Sequence, residues 1–358
     1  MWCSFVLPVL LICAAATVFP GCAAEGGKET DAGADGGADA GVWPLCGLAR
    51  GGGVLSQRAA RFDTVAREQH LAGDGLLRNI YLQPDLNSVD YWLHVENVIL
   101  WSGIYLASQS FRYAVTGEAE AQENARTVVK ALGELTRVTG SSGLYGRSMI
   151  KPGVSYNPVD PASPGWTDSP VTGLEGWRFR NDVSKDGYAG LMFGYAAAME
   201  HLGDPALLQE IRGRLRAILD HIVGNGLQII DWNGVVTEHG RLYQTAMDDY
   251  PGFNAMLSSS WVKVGAVELE DPALDDFYYG CLMQKRKGVT CPPIDNVDMG
   301  PYIKSMEEML YLFLPIYKQN YDNFDMCYQA MYPLLRRETD RSLKSRLLGV
   351  LKNGMFHT

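Results

Sequence analysis

Positive charge is scarce in this sequence of 358 residues. Its 31 lysines and arginines face 41 aspartates and glutamates, which leaves a formal net charge of −10. A protein that binds nucleic acid needs a basic surface to replace phosphate counterions, so the composition argues against a nucleic-acid partner. The one dense arginine group, Arg212, Arg214 and Arg216, has the spacing of a solvated helix face.

Clustered metal ligands are also lacking. The cysteine spacings do not match a zinc-ligand cluster, and neither a metal nor a cofactor is expected. Three of the seven cysteines lie within the first 22 residues, so an even number remains for the folded part, and disulfides are expected there if the protein is exported. The simplest pairing joins Cys281 to Cys291 and Cys46 to Cys327. Three connectivities are possible, and unpaired buried thiols are the alternative.

The N-terminal apolar run, residues 5–18, is too short to span a bilayer comfortably. Small residues and Cys22 follow it, so residues 1–21 are predicted to be an export signal. Residues 18–22, which end in Gly21 and Cys22, resemble a bacterial lipobox. The resemblance implies a lipid on Cys22 and an anchor in the bacterial cell envelope, and cleavage after Ala24 to release a free secreted protein is the alternative.

Large apolar side chains are absent from residues 22–41, which consist mainly of glycine, alanine and acidic residues. Such a segment has nothing to bury and is predicted to be a flexible acidic tether. Residues 42–358 are predicted to form a single folded domain, because the whole chain is 47% apolar and long enough to bury a large core.

What this domain does contain is a repeated pair of helices. In each pair an apolar helix with small residues is followed by a short break and an amphipathic helix. The buried first helices would form an inner ring, and the second helices, each with one face in solvent, would form an outer ring. The predicted fold is therefore an all-α, α/α toroid, and a generic helical bundle is the alternative. The predicted pairs are 97–115 with 120–137, 186–202 with 207–222, 254–268 with the helix from 274, and, less regularly, 302–318 with 324–337, followed by a last helix over 341–352.

Two segments depart from the helical pattern. Residues 227–239 place Asn233 and Gly234 between two β-rich arms, which predicts a β-hairpin at the rim of the ring. Residues 140–180 are irregular and rich in glycine, proline and aromatic residues, and they are predicted to fold across the mouth of the ring.

Polar groups precede each predicted inner helix, at residues 90–97, 178–186, 248–254 and 295–298, and each group mixes carboxylates with aromatic or amide side chains. Asp182 and Asp186 are four residues apart, which puts both on one helical face if the helix has begun. Two such carboxylates can divide acid and base roles when neighbouring charges separate their pKa values. The alternative for Asp182 is a helix N-cap.

The stretch with Glu96, Asn97 and Trp101 and the stretch with Asp182, Asp186 and Tyr188 each open a predicted inner helix. Together with the repeated helix pairs, they resemble the six-hairpin glycosidase superfamily of (α/α)6 toroids, which includes unsaturated glucuronyl hydrolases. The resemblance runs from about residue 90 to the C-terminus. It implies a glycoside hydrolase in which Asp182 or Asp186 is the general acid and base.

A carbohydrate-active envelope protein is therefore expected, with a neutral or acidic polysaccharide or oligosaccharide as partner and with membrane contact only through the lipid. Two alternatives stay open: a polysaccharide lyase that abstracts a proton with His94 or His239 and Tyr188, and a non-catalytic surface lipoprotein that binds a glycan or a protein. The candidate catalytic carboxylates are Asp182, Asp186 and Glu96. The candidate binding residues are Trp92, His94, Asn97, Arg178, Arg180, Lys185, Tyr188, Trp232, His239 and Asn254.

Overall fold

The computed structural model describes residues 54–85, 88–93, 97–154, 156, 164–245, 250–292, 294, 300–308 and 321–355. The predicted signal peptide, the predicted lipidation site Cys22 and the predicted acidic tether lie outside these residues. Among the helices of the described ranges, none combines the length and the apolar character needed to cross a membrane.

The described chain is mainly helical, with ten α-helices and three small antiparallel sheets. The helices are α1 (Val54–Val65), α2 (Val98–Thr116), α3 (Ala119–Arg137), α4 (Lys185–His201), α5 (Pro205–Gly224), α6 (Pro251–Glu268), α7 (Pro272–Asp276), α8 (Tyr302–Glu308), α9 (Tyr321–Arg337) and α10 (Arg341–Val350). Short π-helical turns follow three of them, at Ala66–His70, Phe277–Met283 and Leu351–Met355. The strands are β1 (Ile80–Leu82), β2 (Val89–Trp92), β3 (Ser148–Ile150), β4 (Trp166–Asp168), β5 (Arg178–Arg180), β6 (Gln228–Ile230) and β7 (Val236–Arg241).

Three of the four predicted helix pairs are confirmed, as α2–α3, α4–α5 and α6–α7. The first helix of the fourth pair is described only over Tyr302–Glu308. Helices α4 and α6 are buried on nearly all sides, whereas α3 and α5 bury one face and leave the other in solvent. Helices α5 and α7 start at the breaks that the sequence indicated. Asp204 and Asp271 are their N-caps, and each carboxylate accepts two backbone N–H groups of the first turn. A proline directly follows each cap residue.

Glycine allows α2 and α4 to pack with their backbones in contact. A Cβ on Gly190 would lie 2.3 Å from Leu100 O, and a Cβ on Gly194 would lie 2.4 Å from Gly103 O. Real Cβ atoms do not approach so closely, so a side chain at any of these glycines would force the helices apart. The small residues that marked both segments in the sequence therefore serve helix packing.

Helix α9 does not lie in the outer ring that the sequence predicted for it. As the second helix of the last pair it was expected on the outside, yet it packs directly against the two buried helices α4 and α6. Ser260 Oγ of α6 donates to Ala330 O at 2.7 Å, and Arg337 Nη2 donates to Ala196 O of α4 at 2.9 Å. The described helices support a mainly α fold, with α9 as part of its core.

The described part of residues 140–180 has more regular structure than the sequence indicated, because it contains a three-stranded antiparallel sheet of order β3-β5-β4. Phe179 of β5 is buried opposite Met149 and Thr167, while Arg178 and Arg180 lie on the other face of the strand. The predicted β-hairpin is present as β6–β7, and its turn has Gly234 at a φ of +81°. Strands β1 and β2 form a second antiparallel hairpin.

A disulfide and a buried ion pair each join residues that are close in sequence within the described chain. Cys281 and Cys291 form a disulfide with their Cα atoms 5.6 Å apart, which is the pairing that the spacing favoured. Cys327 is buried within α9, and Cys46 lies outside the described residues, so the pairing of these two stays a prediction. Arg78 Nη2 and Asp74 Oδ2 lie 2.5 Å apart with both side chains fully buried.

Candidate functional site

The entrance to α4 is held against the β6–β7 hairpin by two aspartates. The backbone N–H of Asp182 donates to Oδ2 of Asp231 at 2.8 Å, and Oδ1 of Asp182 accepts the N–H of Glu238 at 2.7 Å. Asp231 Oδ1 also accepts the N–H of Trp232 at 2.9 Å. Asp182 is therefore not the N-cap of α4, a position that Ser184 occupies without a side-chain hydrogen bond. It joins two elements instead.

The surroundings of Asp231 favour its protonated form. Burial raises the pKa of Asp231, the amide groups of Asp182 and Trp232 work against that rise, and the negative charge of Asp182 raises the pKa further. A half-buried carboxyl with a raised pKa beside a second carboxylate is an arrangement that can hold and transfer a proton. The partner of Asp182 is thus Asp231 of the hairpin, 49 residues away.

Arg147 connects this aspartate pair to the entrance of α2. Its Nη1 donates to Asp182 O at 3.1 Å, and its Nη2 donates to Asn97 Oδ1 at 3.3 Å. Both acceptor residues have left-handed backbones, with φ of +56° at Asp182 and +67° at Asn97. Asparagine and aspartate adopt this conformation more readily than other non-glycine residues, so the two φ values mark tight turns just before α2 and α4. We call Asn97, Arg147, Asp182, Asp231 and Trp232 the entry site.

The outer wall of the entry site is the hairpin. Trp232 follows Asp231 directly, and its side chain is 44% exposed. Tryptophan side chains are on average much more buried than this. Glu238 and His239 are exposed on β7. Large exposed aromatic side chains beside polar groups are features of ligand-binding surfaces.

Three predicted binding residues are buried in the structure and do not line this surface. Tyr188 is fully buried, and its OH donates to Gly143 O at 2.7 Å. Asn254 is fully buried in the first turn of α6. Lys185 is also fully buried, with its Nζ 3.3 Å from Arg241 O. The predictions of a stacking wall at Tyr188 and of ligand contacts at Asn254 and Lys185 were wrong, because all three face the packed interior.

The other predicted residues that the structure describes are less buried than these three. Arg178 is held in the sheet by Asp168, with Nε and Oδ1 3.0 Å apart, whereas Arg180 is half-buried opposite Trp166 on the same face. Asp186 is half-buried in the first turn of α4. Trp92 lies on β2, and its indole N–H donates to Gln69 O at 2.9 Å, which ties β2 to the segment after α1.

Glu96 and His94 lie outside the described residues, as do the carboxylates of the two later polar groups, Asp248, Asp249, Asp295 and Asp298. Their predicted roles stay predictions.

Sequence reasoning missed Arg147 and Asp231 as parts of the site. Asp231 had a signal that could have been used, since it begins the tight turn before Trp232 in a hairpin already predicted. Arg147 had none, because it stands in an irregular segment with no periodicity around it.

Within the described part of the chain, no group of three or more histidine, cysteine or acidic side chains has the geometry to hold a metal ion. The entry site contains two carboxyls, one guanidinium and one amide, a set that suits hydrogen bonding and proton transfer. Comparison of the chain with protein-family models, with curated proteins and with solved structures finds no match in any of the three.

Proposed function

We propose that the protein is a carbohydrate-active hydrolase whose entry site supplies the acid and the base. One observation carries the proposal. Asp182 and Asp231 are hydrogen-bonded to each other and half-buried, and burial together with the Asp182 charge raises the pKa of Asp231. A general acid must hold its proton near working pH, and the raised pKa of Asp231 is a shift in that direction. Asp231 replaces Asp186 in the pair that the sequence suggested.

In this proposal Asp231 donates its proton to the glycosidic oxygen as the bond from that oxygen to the anomeric carbon breaks. A water molecule forms the new bond to the anomeric carbon and gives its proton to Asp182. Each oxygen of Asp231 accepts one backbone N–H and keeps a second lone pair, so the hydrogen bonds do not block the proton. Trp232 would stack on a sugar ring and Arg180 would bind a sugar carboxylate or hydroxyl.

The α/α toroid and the envelope location belong to the same proposal. The three helix pairs α2–α3, α4–α5 and α6–α7, each with a buried first helix, favour the toroid, whereas the position of α9 against α4 and α6 departs from it. The N-terminal signal and Cys22 in the sequence support an envelope anchor.

Non-catalytic glycan binding is the second candidate, and a specific observation favours it. Both oxygens of Asp231 and Oδ1 of Asp182 accept backbone N–H groups, which is what a purely structural clamp needs. The lyase alternative loses the residue it required, because Tyr188 is buried and its hydroxyl is bound to Gly143 O.

The test is a screen of the purified protein against neutral and acidic polysaccharides, with reducing ends and unsaturated-sugar absorbance both recorded. Reducing ends without unsaturated products support hydrolysis, and unsaturated products overturn it in favour of a lyase. Binding without any new reducing ends favours the second candidate.

A further inference from the structure

A cleft of about 540 Å³ lies between the last turn of α3, the turn at residues 140–145 and the middle of α5. Its volume is in the range of small-molecule sites, about 300–1,000 Å³. None of its lining residues belongs to the entry site. The lining residues that matter below are Arg137, Ser141, Ser142, Glu210, Gly213 and Arg214.

The turn that forms one wall of the cleft is fixed from two sides. Gly143 has a φ of +77°, and a Cβ on it would lie 2.1 Å from Ala217 O, so the turn rests on the α5 backbone. On the side of α4, the Tyr188 hydroxyl donates to Gly143 O at 2.7 Å and accepts the Tyr145 N–H at 3.2 Å. A wall held in this way needs no ordering when a ligand binds, which favours affinity.

Arg214 also lines the cleft, and its side chain is held in place. Its guanidinium donates to Val129 O and to the Glu210 carboxylate. A Cβ on Gly133 would lie 1.9 Å from Arg214 Nη2, so α3 admits this guanidinium only because that position is glycine. The guanidinium of Arg214 is thus held between α3 and α5 beside the cleft.

Gly213 keeps the cleft open on the α5 side. It lies in the middle of α5, it is exposed, and a Cβ built on it meets nothing within 4 Å. Glycine inside a helix costs about 0.5–1 kcal/mol relative to alanine. Packing does not require a glycine here, and any larger side chain would project into the cleft.

The charge and the hydroxyls of the lining indicate the ligand. Arg137 is 54% exposed, and its nearest carboxylate oxygen, on Glu134, is 3.9 Å away. The charged lining residues are two arginines and one glutamate, Glu210. Glu134, which lies beside Arg137, is bound by Lys151 Nζ at 2.8 Å, so these groups together leave one excess positive charge in a chain of net charge −10. Guanidinium groups bind carboxylates, and the hydroxyls of Ser141 and Ser142 suit a polyhydroxylated ring.

We propose that this cleft binds a small sugar acid, with the carboxylate at Arg137 and the ring hydroxyls at Ser141 and Ser142. The proposal does not depend on hydrolysis at the entry site, because the two sites share no residue. Its failure and that of the proposed function are separate results.

The test is calorimetric titration of the full-length protein with D-glucuronate and, separately, with D-glucose. We expect glucuronate to bind about tenfold more tightly or better, a difference of about 1.4 kcal/mol. Gly213→Leu fills the cleft and should weaken glucuronate binding by about tenfold or more, while its melting temperature stays equal or rises because leucine favours the helix. Arg137→Gln should remove the preference for glucuronate over glucose.

Gly349→Leu is the matched control, because Gly349 is also a helical glycine with open space at its Cβ, in α10 and away from the cleft. It should leave binding unchanged. Equal affinity for glucose and glucuronate, no binding of glucuronate, or unchanged binding by Gly213→Leu would each overturn the proposal.

Discussion

Replacing Asp231 by asparagine should loosen the hairpin, whereas the same change at Asp182 should not. The two oxygens of Asp231 each accept a backbone N–H, from Asp182 at 2.8 Å and from Trp232 at 2.9 Å. Asparagine offers one acceptor oxygen and one NH2 donor, so one of these N–H groups would face another donor. Asp182 accepts the Glu238 N–H through Oδ1 alone, and asparagine can keep that bond.

The expected magnitudes follow from the number of hydrogen bonds lost. A hydrogen bond to a charged group contributes about 1.5–3 kcal/mol. Burial opposes the Asp231 charge, so the neutral amide recovers part of this, and Asp231→Asn should lower the free energy of unfolding by about 1–2 kcal/mol. Asp182→Asn should lower it by about 0.5 kcal/mol, since no backbone donor loses its acceptor.

Urea denaturation at neutral pH measures both changes, with Asp220→Asn as the control. The Asp220 side chain is 66% exposed on α5, and its oxygen is 3.8 Å from Arg216, so its loss should be close to neutral. Equal stabilities for Asp231→Asn and Asp220→Asn, or a larger loss at Asp182 than at Asp231, would refute the hydrogen-bond assignment.

Three further predictions concern the rest of the fold. Gly194→Ala should separate α2 from α4 and lower the free energy of unfolding by about 3 kcal/mol, measured in urea, and a stable variant would contradict the close approach. Arg78→Gln should cost about 3–5 kcal/mol in the same assay because it leaves the buried Asp74 charge without its partner, and a loss under about 1 kcal/mol would contradict the buried pair. Burial and the charge of Asp322 raise the pKa of Asp325 to about 6, above its unfolded value of 3.8, so the ionised form costs stability above about pH 6 and the cost is absent below 3.8. Asp325→Asn should therefore stabilise the protein by about 1 kcal/mol at pH 7, after allowance for solvent screening, and a difference that persists at pH 4 would contradict the shift.

The helices were predictable because their signals are local. The periodicity over residues 97–115 and 254–268 identified α2 and α6 to within a few residues of Val98–Thr116 and Pro251–Glu268. The β3-β5-β4 sheet had no such signal, because its strands have three residues each and their partners are distant in sequence. The place of α9 against α4 and α6 depends on packing between distant helices, which an amphipathic pattern does not encode.

The candidate site was also predictable only in part. Asp182 stood out as an acidic residue before a buried helix, but its contacts with Asp231 and Arg147 span 49 and 35 residues and left no pattern in the sequence. Tyr188 and Asn254 were misjudged for a different reason. Both lie near the start of helices that are buried on almost every side, so nearness to the helix entrance does not make a side chain accessible.

Turnover by the Asp231→Asn variant tests the central proposal most directly. On whichever polysaccharide the wild type cleaves, reducing-end release should fall by about a hundredfold or more in kcat, with KM changed by less than about threefold, because general acid catalysis contributes about 10²–10⁴. Asp220→Asn should keep wild-type kcat. A folded Asp231→Asn protein that retains wild-type kcat would contradict the role of Asp231 as the acid.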